Sequence, residues 1–285
     1  MSPVDSPAPD PVSGRPLRAV TLDFGNTLVP VDRQGLQAVV ATAAAQVAAR
    51  SRLPDEAAFI RAWAEERARQ FRDEVPHLRE VDLSERVTRV FARLRGMDVP
   101  PPDERWDDAA AARLSEPEEV AAAVEIYGDA FVEGMPAAPE VEPVLRRLRG
   151  RGLRLAILSN WPLAATIDRY AERAGWTTHL AAIVVSQRVG VVKPHPGIFK
   201  AAHAALGGPP VDTILHVGDD WAADVVGANS AGWRTAYVRS RPVDTPLPTS
   251  RRDASIVPDV EVTSIADLEA GIDRLGLPPT GSATA

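Results

Sequence analysis

Short apolar runs alternating with stretches of helical spacing constrain this 285-residue chain more than any other feature. Arg18-Ala19-Val20-Thr21-Leu22 is apolar and β-prone, stops at Asp23 and is followed by small, turn-forming residues, so it reads as a buried strand meeting a loop. After Gly134 the alternation becomes regular. A helix at Val141–Arg149 is followed by strand Arg154–Leu158, helix Leu163–Ala174, strand Ala182–Ser186, helix Pro196–Leu206, strand Thr213–Val217, helix Ala222–Ala231 and strand Arg234–Val238. Strands separated by helices of this length imply right-handed βαβ crossovers and a parallel sheet. Residues 33–134 are different: Leu36–Ala49, Glu56–Val75, Leu83–Leu94 and Pro117–Phe131 have helical spacing, MDVPPPDERW breaks the series, and no strand is expected.

The expected fold class is therefore α/β, a Rossmann-like parallel-sheet core interrupted after its first strand by an inserted all-helical domain. The core takes residues 17–32 and 135–277, the helical domain 33–134. Residues 240–258 form a Pro- and Arg-rich loop, and PDVEVTSIADLEAGIDRL adds a last short strand and helix. Residues 1–16 and 278–285 are too poor in apolar groups to order themselves and are expected to be flexible tails.

With 45% hydrophobic residues, the chain is long enough for a full α/β domain plus a smaller one. A net charge of −7 argues against a basic grip on nucleic acid or an anionic membrane. The absence of cysteine excludes disulfides, thiolate metal sites and cysteine nucleophiles. No run of about 18 apolar residues suggests a membrane span, and MSPVDSPAPDPVSGRP has no apolar core of a secretory signal, so cytoplasmic residence is expected.

Four segments fall at strand ends: LDFGNTL at 22–28, LAILSN at 155–160, Lys193-Pro194 and VGDDWAAD at 217–224. Together they bring an aspartate, a hydroxyl, a lysine and an acidic cluster to one edge of a parallel sheet, the assembly a phosphoryl-transfer site requires. Lys193 stands out because Lys200 is the only other lysine among 32 basic residues. Taken singly, each segment has an ordinary reading: Asp219 and Asp220 as a helix cap, Ser159-Asn160 as a turn, Lys193 as a surface residue before a helix-starting proline. Their joint order at successive strand ends outweighs those readings. His195 is expected to cap the helix that follows.

In these motifs, and in the longer runs GRGLRLAILSN, VVKPHPGIFKAA and HVGDDWAADVVGANSAGWRT, the chain resembles the haloacid dehalogenase superfamily over about 17–30 and 135–275. The resemblance implies that 33–134 is that family's helical cap. A phosphoryl centre needs a nucleophile, a counter-charge and a bridging metal. Asp23 is the candidate nucleophile, forming an aspartyl-phosphate. Asp23, the carbonyl of Gly25, Asp219 and Asp224 are the candidate ligands of Mg²⁺, a hard cation that prefers oxygen. Ser159 and Lys193 would serve the phosphoryl oxygens, with Asn26, Thr27 and Asn160 framing the substrate. Asp224 is alternatively expected to orient Lys193, and Asp220 is the less defined member of the cluster.

Gly25 departs from the family pattern, which has an aspartate there to protonate the leaving group and activate water. Such acid–base help is typically worth about 10²–10⁴-fold. The expected activity is therefore a slow or atypical Mg²⁺-dependent phosphohydrolase on a small phosphorylated metabolite, favouring acyl or aryl phosphates. Asp32, Glu65, Glu66, Asp73 and Glu74 are candidate replacement acids, and Arg61, Arg67, Arg69 and Arg72 candidate contacts to an anionic substrate. The alternatives are a catalytically impaired binding or regulatory protein and, further off, a haloacid dehalogenase, whose relatives work without metal. Schiff-base chemistry falls because 31–192 contains no lysine.

Overall fold

Ala19–Leu22 is buried along its whole length and forms β1, the strand around which the sheet is ordered. The protein is described here from a computed structural model covering residues 14–51, 55–99 and 108–277; the expected tails lie outside these, except for 14–16, which carry no regular structure. Most of the MDVPPPDERW break, from residue 100 on, lies outside them too.

Five helices follow β1: α1 (Arg33–Ser51), α2 (Glu56–Asp73), α3 (Leu83–Leu94), α4 (Asp108–Leu114) and α5 (Pro117–Gly134). No strand lies among the described residues of this insertion. The short helix α4 was not expected, because its Ala-rich segment borders a proline-rich break and lacks apolar periodicity. Asp55 and Asp82 cap α2 and α3 by accepting from Ala57 N at 2.9 Å and Ser84 N at 2.7 Å. The remainder alternates: α6 (Val141–Gly150), β2 (Arg154–Ser159), α7 (Ala164–Arg173), β3 (Leu180–Val185), α8 (Ser186–Val189), α9 (Pro196–Ala205), β4 (Ile214–Gly218), α10 (Gly227–Ser230), β5 (Arg234–Val238), β6 (Val260–Val262) and α11 (Leu268–Arg274).

The six strands are all parallel, in the order β3-β2-β1-β4-β5-β6. Alternate residues of each strand enter different cores, as a pleat with period two requires. Val20, Leu22, Leu155, Ile157, Leu215 and Val217 face the core shared with the helical insertion, while Ala19, Ala156, Leu158 and Ile214 face Ile198, Phe199 and Trp233. An aromatic cluster joins the insertion to the sheet: Trp161 meets Phe24 edge-on at 5.2 Å and Phe131 at 4.9 Å. No helix among the described residues is long and apolar enough to cross a membrane.

One element differs in kind from its sequence expectation. Where a regular helix was expected from Ala222, residues Trp221–Val226 make a π-helical turn that passes into α10. Its cause is local. Asp220 caps the turn through Ala223 N at 2.9 Å, while Asp224 folds back to accept from Asp220 N at 2.9 Å.

Candidate active site

Because β1 has β2 on one side and β4 on the other, the chain runs off in opposite directions from the carboxyl ends of β1 and β4. In open α/β sheets that divergence creates the binding crevice. Asp23 follows β1, Ser159 ends β2, and Asp219 follows β4. All three are buried, at 8%, 1% and 3% exposure, and line a cleft of about 300 Å³ between the strand ends and the helical insertion.

Lys193 is the hub. Its Nζ donates to Asp23 Oδ1 at 2.9 Å, to the carbonyl of Leu158 at 2.8 Å and to Asp224 Oδ1 at 2.6 Å. Asn160 holds its backbone on both sides, accepting from Lys193 N at 2.6 Å and donating to Lys193 O at 3.0 Å. Asn160 thus both borders the cleft and fixes the lysine that the cleft depends on. Burial pulls the Lys193 ammonium toward deprotonation, but the Asp224 and Asp23 carboxylates outweigh it and hold its pKa above the usual lysine value. Lys193 is a fixed positive charge.

Asp224 is anchored just as firmly. Besides Lys193 and Asp220 N, it accepts from His216 Nε2 at 3.1 Å, and His216 Nδ1 meets Thr21 Oγ1 at 2.8 Å. Burial would raise its pKa, yet Lys193 and His216 bring it well below the usual carboxylate range. Burial and Lys193 lower the pKa of His216, and because the Asp224 carboxylate can only accept, Nε2 is the ring nitrogen that donates to it. This packing demands a glycine at 218: a Cβ there would lie 2.1 Å from Asp224 Oδ2. With its oxygens so engaged, Asp224 has the geometry of a group that orients Lys193.

Asp23 and Asp219 are held less tightly. Asn26 Nδ2 reaches Asp219 Oδ2 at 3.3 Å, Thr27 Oγ1 reaches Oδ1 at 3.4 Å, and Arg241 Nε stands 3.3 Å from Oδ2. Asn26 holds its position in a left-handed turn (φ 60°), a conformation asparagine tolerates better than most residues. Burial pushes Asp23 up to about 6 despite Lys193, and burial with the neighbouring Asp23 and Asp224 carboxylates pushes Asp219 well above its ordinary value.

Oxygens of Asp23, Asp219 and Asp224 lie within 4.8 Å of one another. Three buried carboxylates, two of them destabilised as anions by burial and mutual repulsion, form an all-oxygen donor set short of positive charge. Such a set fits a hard divalent cation, which would polarise a phosphoryl oxygen when bound.

Gly25 is buried beside this cluster, and its vicinity is filled from elsewhere. A Cβ at 25 would lie 2.7 Å from Leu247 Cδ1 and 3.4 Å from Trp161 Cζ3. Leu247 belongs to the segment after β5, expected only as a Pro- and Arg-rich loop. That segment instead straps the site. Thr245 receives Asn26 Nδ2 at 3.2 Å, Ser250 N and Oγ each donate to Asp220 at 2.9 Å, and the carbonyl of Pro246 accepts from Arg67 Nη2 at 2.8 Å.

The candidate acids named from sequence lie away from the cleft. Glu65, Glu66, Asp73 and Glu74 pair with Arg93, Arg69, Arg72 and Arg79, and Asp32 caps the first turn of α1 through Gly35 N at 2.6 Å. The acid from the insertion that does line the cleft is Glu80, which accepts from Ser186 Oγ and from Val81 N at 2.8 Å and whose pKa burial raises. Of the four arginines, Arg61, Arg69 and Arg72 bind carboxylates elsewhere; Arg67 lines the cleft. His195 caps α9 by accepting from Gly197 N at 3.0 Å.

Residues 17–232 match the haloacid dehalogenase-like hydrolase family. The chain belongs to that family. It is 35% identical over 147 residues to the glyceraldehyde 3-phosphate phosphatase of Methanopyrus kandleri, covering 52% of this chain and 61% of the relative. It is 38% identical over 106 residues to the phosphoserine phosphatase of Thermus thermophilus, covering 36% and 41%. The chain thus spans less than two thirds of either relative. Among solved structures, a 2-haloacid dehalogenase from Pseudomonas syringae pv. Tomato DC3000 superposes with a TM-score of 0.61 at 22% identity, covering 90% of this chain and 99% of that one. At that identity the likeness is one of fold.

Proposed function

We propose that this haloacid dehalogenase-like chain is a Mg²⁺-dependent phosphohydrolase of small phosphorylated molecules, with 17–32 and 135–277 as its core and 33–134 as its cap. The observation that carries this reading is Lys193 held between Asp23 and Asp224, beside Asp219, in the lining of the cleft. Asp23 keeps one carboxylate oxygen outside the Lys193 contact and is the group positioned to attack phosphorus, forming an aspartyl-phosphate. The Lys193 ammonium offsets charge building on the phosphoryl oxygens, and Ser159 borders the same space as a hydroxyl donor. Asp23, the Gly25 carbonyl and Asp219 would hold the metal; Asp224 fixes Lys193. The phosphatases among the relatives support a phosphoryl substrate.

The clustered Asp23 and Asp219 carboxylates also weigh against a metal-free haloacid dehalogenase. With no acid at 25, the leaving group has to depart with little help. Purified protein assayed with Mg²⁺ is therefore expected to release phosphate from acetyl phosphate and p-nitrophenyl phosphate about 10²-fold or more faster than from sugar or nucleoside phosphates. Release is expected to be lost on chelation and in Asp23→Asn. No Asp23-dependent release from any of these compounds would favour the catalytically impaired binding protein instead.

A further inference from the structure

The cleft wall contributed by the insertion carries a charge that the phosphoryl chemistry does not use. Arg86, on α3, lines the cleft and is 2% exposed. Its Nε donates to Gln70 Oε1 at 2.8 Å and its guanidinium carbon lies 5.0 Å from the centre of the Trp63 ring, but its buried Nη2 has no hydrogen-bond partner. A guanidinium carries five N–H donors and cannot lose its charge cheaply, so an unpaired buried edge is costly unless an acceptor arrives. Burial brings Arg86 down to about 10, and Arg67 pushes in the same direction.

The neighbours supply no hydrogen-bond acceptor for the Arg86 Nη2. Arg67 lines the same cleft, stacked 4.5 Å from the centre of the Phe71 ring, and Tyr127, also in the lining, is kept a neutral phenol by burial. Glu80, the nearby acid, offsets part of the Arg86 charge through space but spends its hydrogen bonds on Ser186 and Val81 N and makes none to the guanidinium. Two guanidiniums and a phenol therefore border an otherwise apolar stretch of Leu36, Phe71 and Leu78.

We propose that Arg86, with Arg67 and Tyr127, is a second anion subsite that takes a carboxylate at the far end of the substrate from its phosphoryl group. This rests on the phosphohydrolase reading and narrows its substrate to a phosphomonoester with an apolar body and a terminal carboxylate. A carboxylate suits the site better than a second phosphate. One Arg67 nitrogen is already bound to Pro246, and a dianion would cost more to strip of water than the remaining donors repay.

Matched aryl phosphates test it without a change of leaving group class. 4-Carboxyphenyl phosphate is expected to be turned over with a kcat/KM about tenfold or more above that of 4-(hydroxymethyl)phenyl phosphate, through KM. Arg86→Gln and, separately, Tyr127→Phe should shrink that ratio. Because Arg86 is buried, calorimetry on the unmodified protein supplies a second readout: 4-carboxybenzylphosphonate should bind about tenfold or more tighter than benzylphosphonate. Equal treatment of both pairs would overturn the subsite, as would tighter binding of a bisphosphonate than of the carboxylate. Loss of Asp23-dependent hydrolysis with the phosphonate preference intact would instead overturn the phosphohydrolase reading alone.

Discussion

Replacing Lys193 by methionine is expected to destabilise the fold by about 3–5 kcal/mol, because it strands two buried carboxylates that share one cation. The loss should depend on pH. Asp23 already sits at about 6 with Lys193 in place, and removing the ammonium raises it further. A carboxylate whose pKa is higher folded than unfolded binds more protons in the native state, so its contribution to stability falls as pH rises. The penalty is thus smallest near pH 4 and grows through pH 6 and above. Denaturant unfolding of the wild type and Lys193→Met at pH 5 and pH 8 checks this. A penalty that shrinks toward pH 8 would contradict the assignment of Lys193 as the neutralising charge. Activity should fall by at least about 10²–10³-fold under conditions where the variant is folded.

The second large effect concerns Gly25. Restoring an acid there is not expected to restore acid catalysis by itself, since the new side chain meets Leu247 at its first carbon. Gly25→Asp should leave turnover of alkyl phosphates within about tenfold of wild type, because Leu247 packs where the carboxyl would sit, and lower stability by no more than about 1 kcal/mol, since the atom it meets is the movable tip of a half-buried loop residue. Gly25→Asp with Leu247→Ala opens the volume, and kcat on alkyl phosphates should then rise by about 10²-fold or more, with acetyl phosphate turnover rising too because the restored carboxylate activates the water that clears the aspartyl-phosphate. Full gain in the single variant would show that the strap does not occupy the acid's place. No gain in the double variant would show that a missing acid is not what limits the reaction.

Much of the framework was legible in the sequence because strand and helix periods are local properties. Asp23, Ser159 and Asp219 could be found because each follows or ends a strand's apolar run, and strand ends are where a parallel sheet gathers its chemistry. Lys193, expected at a strand end, instead lies in the connection between α8 and α9, because α8 intervenes after β3, and it reaches Asp23 from there. What could not be read depends on contacts between distant segments. His216 sits in the middle of β4 and looks like an ordinary strand residue until Asp224 folds under it. Leu247 and Ser250 lie in a loop without periodicity, so nothing in their spacing says that they cover Gly25 and Asp220. Arg86 did leave a signal: it falls three residues after Leu83 and four before Val90, on the face of α3 that is buried. Charged residues are rarely fully buried unless paired, as Arg69 and Arg89 are with Glu66 and Glu85, and Arg86 has no such ion pair among the described residues.

In the function proposed here, Asp23 takes the phosphoryl group in a site lacking the base that would hydrolyse it. Without a carboxylate at 25 to act as the base that activates water, the aspartyl-phosphate should form from acetyl phosphate faster than it breaks down. Rapid acid quench of the protein with acetyl phosphate and Mg²⁺, followed by mass analysis of the peptide containing Asp23, measures this directly. A phosphorylated Asp23 peptide is expected to accumulate during turnover, to require Mg²⁺ and to be absent in Asp23→Asn. Phosphate release with Asp23 never modified, or undiminished in Asp23→Asn, would contradict it.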